Sequence, residues 1–148
     1  MYDLIGDIHG HAAELTSLLE LLGYGRTQGY YSHPARKAVF VGDFIDRGPQ
    51  IREVLQLVRP MVDHGSALAV MGNHEFNALC YHTPDPDRPQ DFLRSHSDKN
   101  VHQHRHTIEQ VPAQELDEHL EWFRSLPMWL DLEGLRVVHA CWDNRQIE

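Results

Sequence analysis

The stretch GDFIDRG at residues 42–48 decides how the rest of this sequence is interpreted. It directly follows a short apolar segment. Two related stretches, GDIHG at residues 6–10 and GNHE at residues 72–75, also follow apolar segments of their own. Short apolar runs bounded by turn-forming residues are typical of buried strands. Because parallel strands end at the same edge of a sheet, where ligands usually bind, we expect the three polar loops to lie close together.

Strand-like and helix-like segments alternate along the first half of the chain. The pattern predicts strands at residues 2–5 and 67–71, a helix from Ala13 to Leu22, and a second helix that begins with Pro49. Alternation of this kind indicates an α/β layered fold in which β-sheets are flanked by helices.

Two hairpins are also predicted. Residues 30–41 contain two strand-like segments on either side of a proline-containing turn. Residues 128–140 contain two more on either side of Glu133-Gly134, a pair typical of tight turns. The second strand of this later hairpin ends at His139, so a fourth polar side chain is expected at the end of a strand.

Residues 82–105 interrupt the regular pattern. They begin with a proline-rich run and continue with mostly polar residues, a composition that sustains neither a helix nor a sheet ladder. We interpret them as a surface insertion within a single domain that covers residues 1–148. Pro112 can then begin a last helix.

Four histidines admit two interpretations each. His139 could be a packed core residue, but the other candidate ligands in the chain favour a metal ligand. His102, His104 and His106 alternate along the sequence, and alternating residues share a face only in a strand. Because their surroundings are polar and irregular, we expect these three at the solvated surface rather than in a second metal site.

Composition restricts the class of partner. The chain has 13 basic and 22 acidic residues and a formal net charge of -9, which argues against a nucleic acid polymer or a membrane surface as partner. Its two cysteines and a start without a basic and then apolar leader predict a cytoplasmic protein. No apolar run approaches the length of about 20 residues that a membrane-spanning helix needs.

The polar loops carry side chains suited to divalent metal ions. Aspartate and histidine are ligands for manganese, iron, zinc or magnesium. Asp7 and His9 alternate, so at the end of an extended strand both can point to one side and bind one ion together with Asp43. Two neighbouring ions need a bridging carboxylate, and Asp43 is the candidate bridge. Asn73 and His139 would serve the second ion.

The motifs GDIHG, GDFIDRG and GNHE, with the later His139-Ala140, resemble those of the calcineurin-like metallophosphoesterase superfamily. The Asp46-Arg47-Gly48 extension is similar to the branch that contains PPP-type serine/threonine phosphatases and symmetrical diadenosine-tetraphosphate hydrolases. The resemblance implies hydrolysis of phosphate esters or phosphoanhydrides by a hydroxide that two metal ions activate. It implies manganese as the metal, with iron, zinc, magnesium or nickel as alternatives. The implied substrate is a phosphorylated small molecule, a nucleotide or a phosphoprotein.

The resemblance implies a shared ligand set for the two ions. Asp7, His9 and Asp43 would hold the first ion, and Asp43, Asn73 and His139 would hold the second.

It also implies three catalytic residues. Arg47 would bind phosphate oxygens, His74 would protonate the leaving oxygen, and Asp46 would orient the imidazole of His74.

The sequence departs from the family pattern after His139. The superfamily supplies further histidines from a late Gly-His-x-His type motif, and PPP-type enzymes add a second phosphate-binding arginine, but we expect residues 140–148 to provide neither. We therefore expect a fold that is incomplete on its C-terminal side. The alternative function is a catalytically silent domain that binds metal or phosphate, or that needs a partner to complete the fold. A sheet edge left open in this way would also allow self-association.

Overall fold

The computed structural model describes residues 1–147 and has a mixed α/β architecture. In chain order the elements are β1 (Tyr2–Ile5), α1 (Ala12–Leu21), β2 (Gly25–Thr27), β3 (Tyr30–Ser32), β4 (Lys37–Phe40), α2 (Ile51–Asp63), β5 (Ala67–Ala69), α3 (Asn73–His82), α4 (Asp98–Gln110), α5 (Ala113–Ser125), β6 (Trp129–Leu132), β7 (Leu135–Val138) and α6 (Asn144–Ile147). The strands β1, β4 and β5 form a parallel sheet in the order β1-β4-β5. The predicted α/β fold class is therefore confirmed.

The register of the parallel sheet places the polar loops side by side. Ile5 at the end of β1 pairs with Phe40 at the end of β4, which in turn pairs with Ala69 at the end of β5. The three strands therefore end at one edge of the sheet. The loops that carry GDIHG, GDFIDRG and GNHE all leave from that edge, as the sequence predicts.

Apolar residues cover both faces of this sheet. One large cluster joins it to α1, α2, α3 and α5. In α2 the buried positions follow helical spacing, and all are fully buried: Ile51, Val54, Leu55, Val58 and Met61. The second face packs against the β6–β7 hairpin through Val39, Val70 and Val137. Within residues 1–147, none of the helices combines the length and the apolar character needed to cross a bilayer.

The later of the two predicted hairpins is confirmed. β6 pairs antiparallel with β7, and Gly134 in the turn between them has a φ of 75°. His139 follows β7 directly, at the end of a strand that packs against the central sheet.

The earlier predicted hairpin, at residues 30–41, is wrong. β3 pairs antiparallel with β2 instead, across a turn in which Gln28 and Gly29 have φ values of 56° and 95°. β4 lies between β1 and β5 in the parallel sheet, so both of its edges are already paired. It therefore has no edge left for β3.

The expected surface insertion is irregular only up to residue 97, since α4 begins at Asp98. His104 and Thr107 lie on the buried face of α4, with exposures of 4% and 0%. The prediction that His104 is a solvated surface residue is therefore wrong, whereas His102 is exposed as expected.

His119 on α5 is a buried histidine outside the motif loops. It is 7% exposed, and its Nδ1 has no hydrogen-bond partner among residues 1–147. Burial first, and then the nearby charge of Arg59, lower the pKa of His119 from 6.5 to about 4, against the opposing effect of Glu115. The folded chain therefore keeps this imidazole neutral over a pH range in which the unfolded chain protonates it.

We expect His119→Leu to reduce the loss of stability on acidification. The pKa of His119 is lower in the folded state, so its contribution to stability is complete above pH 6.5 and is lost as the pH falls towards 4. Urea unfolding at a series of pH values should give a flatter profile for His119→Leu than for the wild type in this window. His102→Leu, at an exposed histidine, should leave the profile unchanged. Equal slopes for the wild type and His119→Leu would contradict the prediction.

Candidate metal centre

Backbone contacts join the three motif loops. The N–H groups of Ile8 and His9 both donate to the carbonyl oxygen of Asp43, at 3.1 and 2.9 Å. Gly42 and Gly72 pass so close that a Cβ on Gly42 would lie 2.2 Å from the nitrogen of Gly72. Gly42 also has a φ of +94°, a conformation that favours glycine. The glycines therefore allow the GDFIDRG and GNHE loops to touch through their backbones.

Four motif residues other than glycine have left-handed backbone conformations. The φ values are 43° for His9, 54° for Asp43, 65° for Asp46 and 67° for Arg47. Such conformations cost on the order of 1 kcal/mol each and persist only where the surrounding structure imposes them. Strain of this kind concentrates at functional sites, and here it coincides with the residues that the sequence singles out.

The imidazole of His9 is oriented with one nitrogen towards the centre of the site. Its Nδ1–H donates to the carbonyl oxygen of Ile45 at 2.9 Å, which leaves a lone pair on Nε2. This Nε2 is buried and has no hydrogen-bond partner among the residues that the structure describes. It lies 3.5 Å from Oδ2 of Asp43 and 3.8 Å from Oδ2 of Asp7.

His139 is oriented in the same way from the opposite loop. Its Nδ1–H donates to the carbonyl oxygen of Val41 at 2.8 Å. Its Nε2 lies 2.9 Å from Oδ1 of Asn73 and 3.6 Å from Oδ2 of Asp43. A backbone carbonyl that fixes one ring nitrogen and directs the other towards the metal is the usual arrangement of a metal-binding histidine. Both His9 and His139 have a ring nitrogen fixed in this way, although Nε2 of His139, unlike that of His9, contacts Oδ1 of Asn73.

Asp43 is the central residue of the group. Its Oδ1 accepts a hydrogen bond from the backbone N–H of His74 at 3.0 Å, and its Oδ2 faces three imidazole nitrogens. The described residues contain two sets of candidate donor atoms. Within each set all atoms lie within 4.8 Å of one another, and both sets contain Asp43. The first set adds His9 and His74, and the second adds Asp7 and His139. These sets differ from the predicted division of ligands between two ions, but they share the carboxylate that the sequence predicts as the bridge.

His74 and Asp46 form a buried pair beside this centre. Nδ1–H of His74 donates to Oδ2 of Asp46 at 2.6 Å, and both side chains are almost completely buried. Burial alone would lower the pKa of His74, but the hydrogen bond to Asp46 and the charges of Asp43 and Asp46 outweigh it and raise the pKa. The imidazole of His74 is therefore protonated more readily than that of an ordinary histidine.

The guanidinium of Arg47 lies beside this pair. Arg47 is exposed, and one of its guanidinium nitrogens lies 3.4 Å from Nε2 of His74. Its cationic group thus borders both solvent and the Nε2 edge of the imidazole, which is directed away from Asp46.

The sequence did not identify α4 as part of the site. Nδ1–H of His106 donates to the carbonyl oxygen of Arg47 at 2.7 Å, and the side-chain amide of Gln110 donates to the carbonyl oxygen of Gly48 at 2.9 Å. His104 and Thr107 contact Asp46 itself. α4 therefore supports the Asp46-Arg47-Gly48 segment along its length.

Glu75 is a second residue whose role the sequence did not reveal. It is fully buried, and its carboxylate accepts backbone N–H bonds from Asp43, Phe44 and Gly72 at 2.8, 2.8 and 3.0 Å. Burial first, and then the charge of Asp43, raise the pKa of Glu75 to about 6, although the three N–H bonds act in the opposite direction. The Glu75 carboxylate therefore joins the GDFIDRG loop to the GNHE loop.

Comparison with known proteins identifies the family. The model of the calcineurin-like phosphoesterase family matches residues 2–142. The asymmetrical bis(5'-nucleosyl)-tetraphosphatase PrpE of Halalkalibacterium halodurans is 49% identical over 74 residues, which cover 49% of this chain and 30% of that protein. A cold-active protein tyrosine phosphatase has a TM-score of 0.65 at 25% identity, over 99% of this chain and 42% of that chain.

A serine/threonine phosphatase from Saccharomyces cerevisiae has a TM-score of 0.59 at 20% identity, over 86% of this chain and 33% of that chain. The matched parts thus cover less than half of each of these three proteins. The resemblance stated from the motifs is confirmed, and the chain belongs to the calcineurin-like phosphoesterase family.

Proposed function

We propose that this chain carries the metal and phosphate site of a phosphoesterase that hydrolyses dinucleoside polyphosphates with the help of two divalent cations. One observation carries the proposal: the side chains of Asp7, His9, Asn73 and His139 converge from three other segments around the buried carboxylate of Asp43.

The residues present fit a pair of cations. The buried Nε2 of His9 has no partner among residues 1–147 and faces two carboxylates. Nε2 of His139 likewise lies beside the oxygens of Asn73 and Asp43. Nitrogen and oxygen donors of this type suit manganese, and also iron, zinc, magnesium or nickel. We propose Asp43 as the ligand shared by both ions, with Asp7, His9, Asn73 and His139 completing the set.

The bound ions would supply two effects, since divalent cations lower the pKa of a coordinated water and offset charge on phosphoryl oxygens. The chain itself supplies binding and orientation. Arg47 has an exposed guanidinium beside His74, and we propose that it pairs with the non-bridging oxygens of the phosphate under attack. Its charge would also stabilise the transition state in which those oxygens become more negative.

His74 would complete the reaction as the general acid. Its Nδ1–H is held by Asp46, so a second proton on the ring can reside only on Nε2, which faces away from that carboxylate. The raised pKa of His74 favours this doubly protonated form. When the bond between phosphorus and the leaving oxygen breaks, Nε2 would transfer its proton to that oxygen. Asp46 would keep the imidazole oriented and stabilise its positive charge.

The choice of substrate rests on the curated relative, which is named an asymmetrical tetraphosphatase rather than the symmetrical enzyme of the motif resemblance. We therefore propose cleavage of a dinucleoside tetraphosphate at an outer phosphorus. Addition of one water there breaks one phosphoanhydride bond and yields a nucleoside monophosphate and a nucleoside triphosphate.

The test is incubation of this chain with diadenosine tetraphosphate and manganese, followed by ion-exchange separation of the nucleotides. We expect AMP and ATP in equal amounts, with no hydrolysis in EDTA and with activity restored by excess manganese. ADP as the sole product would contradict asymmetrical cleavage. No hydrolysis of this substrate or of an aryl phosphate would contradict the proposed function and favour a silent metal-binding domain.

A further inference from the structure

The carboxylate of Asp46 is held on the side opposite to His74 by two residues of α4. Its Oδ1 accepts a hydrogen bond from Nδ1–H of His104 at 2.9 Å and from the hydroxyl of Thr107 at 2.6 Å. The hydroxyl oxygen of Thr107 also accepts the backbone N–H of Asp46 at 3.0 Å. The three side chains are buried, so water cannot readily replace these donors.

We propose that His104 is a positioning residue of this site, which fixes the carboxylate of Asp46 so that its other oxygen holds Nδ1 of His74. The proposal deepens the proposed function, because it identifies a residue on which the general acid would depend. His104 does not itself reach the reacting atoms.

The first argument is geometric. A carboxylate that carries one imidazole can rotate about its Cβ–Cγ bond, whereas a carboxylate held at both oxygens cannot do so without losing hydrogen bonds. Asp46 also has a left-handed φ of 65°, a backbone conformation that persists only where the surrounding contacts impose it. The contacts from α4 supply the restraint.

The second argument concerns charge. Burial alone would raise the pKa of Asp46, but hydrogen bonds from His104, His74 and Thr107 outweigh it and hold the pKa well below its usual range. Among these opposing contributions, the hydrogen bond from His104 is the largest. His104 therefore helps to keep Asp46 ionised, the form that accepts from Nδ1–H of His74.

The third argument concerns the tautomer of His104. Because the carboxylate can only accept, Nδ1 of His104 must carry a proton. Nε2 of His104 lies 3.1 Å from Nε2 of His82. Burial lowers the pKa of His82 and so favours the neutral form of the His82 ring. The contact therefore satisfies the far nitrogen of His104 and fixes the orientation of its ring.

Proton NMR tests the positioning role without any need for turnover. The short hydrogen bond between His74 and Asp46 should give a strongly downfield Nδ1–H resonance in the magnesium-loaded chain, assigned by its loss in His74→Asn. We expect this resonance to disappear or move upfield in His104→Leu. It should persist in His104→Asn, because an asparagine amide can place an N–H donor near the position of Nδ1. His102→Leu, on the exposed side of the same helix, is the matched control and should leave the resonance unchanged.

An unchanged resonance in His104→Leu would overturn the proposal. If the leucine variant does not fold, His104→Phe takes its place, because it keeps an aromatic ring but offers no N–H donor to Asp46, and an unchanged resonance in that folded variant would equally overturn the proposal. A failure of the whole chain to hydrolyse any phosphate would count against the proposed function alone.

Kinetics provide the second readout in an active preparation. Phenyl phosphate has a poor leaving group that needs protonation, whereas dinitrophenyl phosphate has a good one that does not. We expect His104→Leu to lower kcat by about tenfold or more with phenyl phosphate, with little change in KM, and to have a much smaller effect with dinitrophenyl phosphate. His104→Asn should recover most of kcat. An equal loss with both substrates would indicate a merely structural residue and contradict the positioning role.

Discussion

Asp43→Asn is expected to lower metal-dependent hydrolysis by about a thousandfold. Metal ions contribute several kcal/mol of charge stabilisation in the transition state, and a loss of about 4 kcal/mol corresponds to a rate decrease of about 10³. Asp43 is the residue common to both sets of candidate donor atoms, and its Oδ2 faces the Nε2 atoms of His9 and His139. The asparagine keeps the shape of the side chain but removes its negative charge.

Metal binding should change with activity. We expect isothermal titration calorimetry with manganese to show two ions per wild-type chain and at most one in Asp43→Asn. Because Oδ1 of Asp43 accepts the backbone N–H of His74, the amide oxygen of the asparagine can preserve that bond. The folded structure should therefore survive the substitution, and circular dichroism can verify this.

Asp85→Asn is the matched control for this experiment. Asp85 is also a buried aspartate, but its side-chain hydrogen bonds go to Asp87 and Arg88 in its own loop. The Asp85→Asn variant should retain both the metal stoichiometry and the hydrolysis rate of the wild type. If Asp43→Asn binds two ions and turns over at the wild-type rate, the shared-ligand role of Asp43 is refuted.

The sequence predicts that the motif loops meet, because their residues follow strand ends in short motifs. Local apolar runs identify β1, β4 and β5, and parallel pairing then forces their polar loops to one edge. No such local pattern exists for α4. Its exposed side carries Val101 and Ile108, whereas its buried side carries His104 and Thr107. Apolar periodicity cannot detect a helix whose buried face is polar, since that face packs on a polar loop rather than on the apolar core.

The hairpin at residues 30–41 was wrong for a different reason. β2 is exposed at all three of its positions, so no apolar pattern marks it as a partner for β3. The turn between β2 and β3 consists of Gln28 and Gly29, which is a weak turn signal in the sequence. The left-handed conformations of both residues become visible only in the structure. The burial of β4 between two strands is a tertiary property that the order of residues along the chain does not specify.

Glu75 illustrates a third limit, and its substitution is expected to cause the largest change in stability. The sequence shows only a glutamate after His74, whereas the structure shows a carboxylate with 0% exposure that accepts N–H bonds from Asp43, Phe44 and Gly72. Glu75→Ala would leave these three buried donors without their acceptor. A buried unpaired donor costs about 1–3 kcal/mol, so we expect a loss of roughly 3–5 kcal/mol in the free energy of unfolding.

Urea unfolding followed by circular dichroism measures this loss. Glu75→Gln should be less destabilising than Glu75→Ala, because its amide oxygen can still accept from some of the three donors. It should still be less stable than the wild type, because its NH2 group must face at least one of them. Glu118→Ala, at an exposed position on α5, is the matched control and should change stability by less than about 0.5 kcal/mol. A Glu75→Ala variant as stable as this control would show that the two motif loops do not depend on the carboxylate.

Because the N–H of Asp43 donates to the Glu75 carboxylate, we also expect Glu75→Ala to weaken manganese binding at temperatures where the variant remains folded.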